Sequence, residues 1–160
     1  MLKADELNEF REPVRFQNGA NITLQTVHDA IINCAMNMNI PVAFAPDKVK
    51  SGGLFNSVVD DCLVMYHPTH KNDYYKFCIR VKRQGTYAYV YINSFGQSKQ
   101  GAKAAIAEQG KADRRGKSLS YQIGSAIGEG LLTMGKNKAK LEEETMYYQC
   151  VFDIFDDIIA

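Results

Sequence analysis

Residues 74–95, YYKFCIRVKRQGTYAYVYINSF, carry the most regular pattern in the chain. Apolar and polar side chains alternate on both sides of the Gln84-Gly85 dipeptide, as they do in β-strands that bury one face. Because glycine adopts positive φ readily, this dipeptide predicts a two-residue turn between antiparallel strands. The stretch therefore predicts a β-hairpin with one face towards the core.

The two faces of this hairpin differ in chemistry. One face is apolar and is expected to meet the core. The other face carries cations and tyrosines, namely Lys76, Arg80, Lys82, Tyr87, Tyr89 and Tyr91. A turn at Gln84-Gly85 predicts a register in which Arg80 lies opposite Tyr89 and Lys82 lies opposite Tyr87.

Several interpretations of the polar face remain open at this point. Opposed cations and tyrosines stabilise a solvated sheet by about 0.2–1 kcal/mol per pair, without any function. Exposed aromatic rings and cations also bind single-stranded nucleic acid, by base stacking and phosphate contacts. An acidic protein could use the same face, because Tyr and Arg are enriched at binding hot spots. A helix could instead cover it.

A basic segment follows the hairpin. Residues 99–117 contain six Lys and Arg against two acidic residues, and Arg114, Arg115 and Lys117 lie together in GKADRRGKS. These three cations either add phosphate contacts beside the hairpin face or belong to a solvated loop. The segment is not a nucleotide-hydrolysing phosphate loop, because five residues rather than four separate Gly110 from Gly116 and no strand precedes it.

The remaining pattern predicts helices and strands in separate parts of the chain. Residues 2–12 are expected to form an amphipathic helix, and a second helix runs from an Asn21 cap to about residue 39. Residues 40–46, IPVAFAP, predict a strand that its prolines confine to an edge or an end. Cys62–Tyr66 predicts a buried strand.

Three further helices are predicted after the hairpin, over residues 99–109, 119–134 and 137–159. Strands grouped between helices are typical of the α+β class. The predicted fold is therefore one α+β domain over residues 1–160, with a three- or four-stranded antiparallel sheet and helices packed on one face.

Composition narrows the class of protein. The chain has 160 residues, 46% of them hydrophobic, and a formal net charge of +1. This balance argues against bulk attraction to nucleic acid or anionic membrane, although it allows a local patch. The N-terminal residues show no apolar signal-peptide region, and no apolar run is long enough for a membrane span. We expect a cytoplasmic protein with four free cysteines.

The sequence provides little support for an enzyme. His67 and His70 lie near Cys62 and Cys78, but their spacing matches no established zinc pattern, so we predict no metal and no cofactor. No nucleophile or paired-carboxylate signature appears.

The last helix has two apolar stripes, which predict either burial in the monomer or a homodimer interface.

Two stretches, CLVMYHPTHKNDYYKFCIRVKRQGTYAYVYINSFGQSK and YYQCVFDIFDDII, resemble small uncharacterised proteins of Gram-positive bacteria and their mobile elements. The resemblance implies a bacterial or phage-linked origin and implies no activity for this protein.

The residues themselves favour a non-enzymatic binding module that uses the cation and tyrosine face on single-stranded nucleic acid or an acidic protein. The alternative is a regulatory module that self-associates through its C-terminal helix.

Overall fold

The computed structural model describes residues 1–98 and 138–159. Six strands lie at Leu2–Lys3 (β1), Asn8–Phe16 (β2), Ala43–Ser51 (β3), Val58–Tyr66 (β4), Lys76–Gln84 (β5) and Tyr87–Phe95 (β6). The helices are Leu24–Met38 (α1) and Lys138–Ile159 (α2), and short 3-10 turns lie at Ala4–Glu6 and Gly19–Asn21. The fold is therefore α+β, as the sequence predicts.

The sheet is larger than predicted and is not purely antiparallel. Its six strands follow the order β1-β3-β4-β5-β6-β2, and β1 pairs with β3 in parallel. The prediction of three or four strands was wrong because residues 2–12 form β1 and most of β2 rather than a helix. Bulges after Glu9 and Arg11 interrupt the strand period in β2, so that its apolar residues fall at helix-like spacing.

Both described helices pack on one face of the sheet, over the larger of two apolar clusters. Phe77, Ile79 and Ile92 of the hairpin lie in this cluster beside Ile31 of α1 and Phe155 of α2. At about 25 cal/mol per Å² of apolar surface, burial of such side chains is the main favourable term in the fold. The predicted apolar hairpin face therefore meets the core.

Helix α1 begins two residues later than its predicted start. The Thr23 hydroxyl accepts a hydrogen bond from the Thr26 backbone N–H at 3.1 Å, so Thr23 is the N-cap rather than Asn21. At the other end Asn39 adopts a left-handed conformation with φ of 58°, and Pro41 follows. The last helix covers 138–159, close to its predicted range.

The N-terminal segment joins the two edges of the sheet. Lys3 on one edge and Asn8 on the other are five residues apart and can be separated by at most about 19 Å, whereas five strand spacings span about 24 Å in a flat sheet. The sheet is therefore strongly curled. Leu2, Ala4 and Leu7 of this segment cover the smaller apolar cluster, which lies on the face away from the helices.

Pro46, the one proline within β3, lies where the prediction placed it, near an edge. β1 pairs only with Val49 and Lys50 of β3, so the part of β3 that contains Pro46 has β4 as its sole described strand partner. The helices predicted over 99–109 and 119–134, and the basic segment 99–117, lie outside the described residues. Within the described part, neither helix combines the length and apolar character needed to cross a membrane.

Candidate binding face

The hairpin has the predicted faces but a different register. The turn residues are Gly85 and Thr86, so Arg80 lies opposite Tyr91 and Lys82 opposite Tyr89. The predicted pairing was wrong by two residues, because the sequence allows the turn on either side of Gly85. A shift of two residues keeps every side chain on its face. The cations and tyrosines therefore remain together.

We call this surface the tyrosine face. It comprises Arg15, Lys76, Arg80, Lys82, Tyr87, Tyr89 and Tyr91, on β2, β5 and β6. It lies opposite the helix-covered face, and the six hairpin side chains are all partly exposed. Lys76 lies at the far end of β5, opposite Phe95 of the smaller cluster, whereas the other members are grouped towards the turn.

Cations contact the tyrosine rings at both ends of this group. The Arg15 guanidinium carbon lies 4.9 Å from the ring centre of Tyr87, and that of Arg80 lies 5.1 Å from the ring centre of Tyr91. Such contacts contribute about 0.5–1 kcal/mol each at exposed sites. Tyr89 lies between these pairs, and no described cation stacks on its ring.

The cations of the tyrosine face are only partly neutralised. Lys82 Nζ lies 3.0 Å from an Asp60 carboxylate oxygen on β4. Arg80 Nη2 donates to Asn93 Oδ1 at 3.2 Å, which is a neutral partner, and the buried Arg80 Nε has no hydrogen-bond partner in the described structure. Because this Nε is buried, a phosphate or carboxylate oxygen could contact Arg80 only through its terminal guanidinium nitrogens.

The sequence predicted part of this group. Arg80, Lys82, Tyr87, Tyr89 and Tyr91 lie together as expected, since alternation along a strand is a local property. Arg114, Arg115 and Lys117 lie outside the described residues. Arg15 was missed, because β2 joins β6 across more than 70 residues of chain, and no local pattern indicates that pairing.

His67 and His70 belong to an aromatic cluster beside α2. The His70 ring stacks on Tyr74 at 4.3 Å, and His67 makes edge contacts with Tyr74 and Tyr147. Burial, followed by the neighbouring His70, lowers the pKa of His67. Cys62 belongs to the smaller cluster on the opposite face. Among the described residues, no group of three or more His, Cys, Asp or Glu side chains is placed to hold a metal ion.

Helix α2 carries a buried carboxylate, Glu144, near this aromatic cluster. Glu144 is completely buried and accepts hydrogen bonds from Ser98 and from the Tyr148 hydroxyl, while Tyr148 accepts from the Tyr75 backbone N–H at 2.9 Å. Desolvation raises the pKa of Glu144 above its usual range. The sequence carried one indication of this burial, since Glu144 lies on the same helical stripe as Leu141 and Tyr148.

The apolar stripes of α2 are used inside the fold. Leu141, Tyr148, Val151, Phe152 and Phe155 are all buried. The exposed large apolar side chain of this helix is Met146, at 57% exposure. For the alternative of self-association through α2, the described stripes leave Ile158 and Ile159 partly exposed at the end of the helix.

No protein-family model matches this chain, and neither curated proteins nor solved structures show a significant similarity to it. Function therefore has to be argued from the residues and their geometry.

Proposed function

We propose that the protein is a non-enzymatic binding module that takes single-stranded nucleic acid on its tyrosine face. The observation that carries the proposal is the grouping of Arg15, Arg80 and Lys82 around the central ring of Tyr89. This pairing of aromatic rings with cations on a sheet face is the arrangement that single-strand readers use.

The geometry of β6 suits an extended strand of nucleic acid. Tyr87, Tyr89 and Tyr91 alternate along one strand, so their positions are about 7 Å apart. Successive unstacked bases can be spaced in the same way. Tyr89 has no described cation on its ring and is the base-stacking position, whereas Arg15 and Arg80 exchange their ring contacts for phosphate contacts.

The sheet face favours nucleic acid over an acidic peptide because it combines flat rings with charge. A peptide carboxylate would use Arg80 and Lys82 but would leave Tyr89 without a planar partner. Base–aromatic stacking contributes about 1–3 kcal/mol per base. The proposal therefore requires that binding depend on the base as well as on the phosphate.

The test is a fluorescence-anisotropy titration with labelled oligo-dT and oligo-U over a series of salt concentrations. Three phosphate contacts predict a slope of log K against log salt of about −2. The double variant Arg80→Ala/Tyr89→Ala should lose binding and keep its fold by circular dichroism. Failure of the wild-type protein to bind either probe at low salt would overturn the proposal.

Two controls separate this site from general charge attraction. Lys71→Ala removes a cation that lies 5.0 Å from the ring centre of Tyr66, away from the turn end of the hairpin, and should bind like the wild type. An abasic oligonucleotide of equal length should bind more weakly than oligo-dT. Equal affinity for the two ligands would show that Tyr89 does not stack on bases.

A further inference from the structure

The turn between β3 and β4 presents two large apolar side chains to solvent. Leu54 is 94% exposed and Phe55 is 97% exposed. Gly52 shapes this turn, with φ of 90°, and a methyl group there would lie 2.2 Å from the Asn56 carbonyl oxygen. The turn backbone therefore requires glycine at this position, and it holds Leu54 and Phe55 out of their own core.

A cleft lies beside the β3–β4 hairpin, towards the end of its strands that is opposite this turn. It has a volume of about 700 Å³ and lies between β3, β4 and the first turns of α1. Its apolar lining residues are Met1, Leu24, Phe44, Pro46, Cys62 and Leu63. This volume is within the range of pockets that enclose whole ligands, so the cleft has room for a leucine and a phenylalanine side chain together.

The turn residues 52–57, which we call the tip, are compatible in charge with the cleft. Residues 52–57 carry no charged side chain. The charges on the rim of the cleft are already paired, Lys48 with Asp61 at 3.3 Å and the N-terminal amine with Asp47 at 3.3 Å. An uncharged tip can therefore enter the cleft without leaving an unpaired charge behind.

Their positions allow both contacts to form at once between two copies. Phe44, Pro46 and Leu63 of the cleft share one face of the sheet with Val59, which lies between the cleft and the tip and is 47% exposed. A two-fold axis close to Val59 would place each tip against the partner's cleft, as an isologous interface requires. Val59 would then be buried at the centre.

We propose that two copies of this chain form a dimer in which Leu54 and Phe55 of each copy occupy the apolar cleft of the other. A bilayer is the less suitable partner for the tip. Around its base, Lys3 and Lys50 lie beside Asp5, and Lys48 is paired with Asp61, so the tip has no large basic collar to attract anionic lipid.

The first test uses tryptophan fluorescence, because the chain contains no tryptophan. In the Phe55→Trp variant the new ring reports only on the tip. We expect its emission to shift to shorter wavelength as protein concentration rises, while the light-scattering mass rises from 18.0 kDa towards twice that value. A mass that stays at 18.0 kDa across all concentrations, with constant emission, would overturn the proposal. Emission that responds only to added phosphatidylcholine vesicles would also overturn it, in favour of lipid.

Variants on each side distinguish tip-in-cleft contact from contact between two tips. Leu54→Ser/Phe55→Ser should remain a monomer, whereas Met146→Ser, which removes an exposed apolar side chain on α2, should dimerise like the wild type. Gln25→Trp fills the rim of the cleft from an exposed position and should weaken dimerisation at least tenfold. Wild-type dimerisation of Gln25→Trp would show that the clefts are not used.

Discussion

Gly19 provides the sharpest test of the packing described above. It lies in the 3-10 turn Gly19–Asn21 before α1, and its backbone N–H donates to the Thr86 carbonyl in the β5–β6 turn at 3.0 Å. A methyl group at Gly19 would lie 2.4 Å from the Ala88 Cβ and 2.5 Å from the Ala88 backbone nitrogen. The Gly19→Ala variant should therefore separate this turn from the tyrosine-bearing strand β6.

The expected cost follows from the overlap. Carbon atoms pack best at about 3.5–4.0 Å, so the new methyl group is more than 1 Å too close. Ala88 is completely buried in a strand with neighbours on both sides, and a backbone atom cannot rotate away. Overpacking of this kind costs about 1–3 kcal/mol, and we expect the upper part of that range. For a chain of this size the melting temperature should fall by roughly 5–10 °C.

Thermal and urea unfolding of Gly19→Ala and the matched Gly53→Ala would measure this effect. No atom lies within 4 Å of a methyl group at Gly53, so that variant should stay within about 0.5 kcal/mol of the wild type. Adding Ala88→Gly to Gly19→Ala should restore only part of the stability, because the contact with the Ala88 nitrogen remains. A Gly19→Ala variant as stable as Gly53→Ala would refute the close approach of turn and strand.

Two other predictions concern the hydrogen bonds of charged side chains, Glu144 in the core and Arg83 at the surface. Because the pKa of Glu144 is raised in the folded protein, its contribution to stability is present below its usual pKa and is lost as pH rises through the folded pKa. In urea unfolding, Glu144→Gln should therefore be as stable as the wild type near pH 4 and more stable than it by on the order of 1 kcal/mol at pH 7. A parallel pH dependence of the stability of the two proteins would contradict this. Arg83 donates from Nη1 to the Gly19 carbonyl at 2.5 Å and from Nη2 to the Ile22 carbonyl. Arg83→Met should lower the free energy of unfolding by about 2 kcal/mol. Lys140→Met is the surface control, and equal stability of the two variants would show that the Arg83 hydrogen bonds do not hold the turn before α1.

Patterns that repeat within one strand or helix were sufficient for much of the candidate site. The alternation in 74–95 predicted which side chains share the tyrosine face, and it did so despite the wrong register, since a shift of two residues preserves the face. The burial of the α2 stripes was one of two outcomes open from their helical spacing. In each case the information lies within a few neighbouring residues.

The pairing of distant strands could not be predicted in this way. The sequence did not predict β2 as a strand, because its bulges give Phe10 and the neighbouring apolar residues a helix-like spacing. Its place beside β6, which brings Arg15 to Tyr87, depends on contacts across more than 70 residues. Loop closure over such a distance leaves no periodic trace in the sequence, because it is the packing of the whole sheet that stabilises the pair.

The sequence alone therefore specified the α+β class, the hairpin, the face on which its cations and tyrosines lie and the extent of the last helix. The tertiary structure alone specified the six-stranded order, the addition of Arg15 and the exposure of Leu54 and Phe55. The physical reason is that side-chain direction follows from backbone period within an element. Burial depends instead on which elements meet, and that is a property of the whole chain.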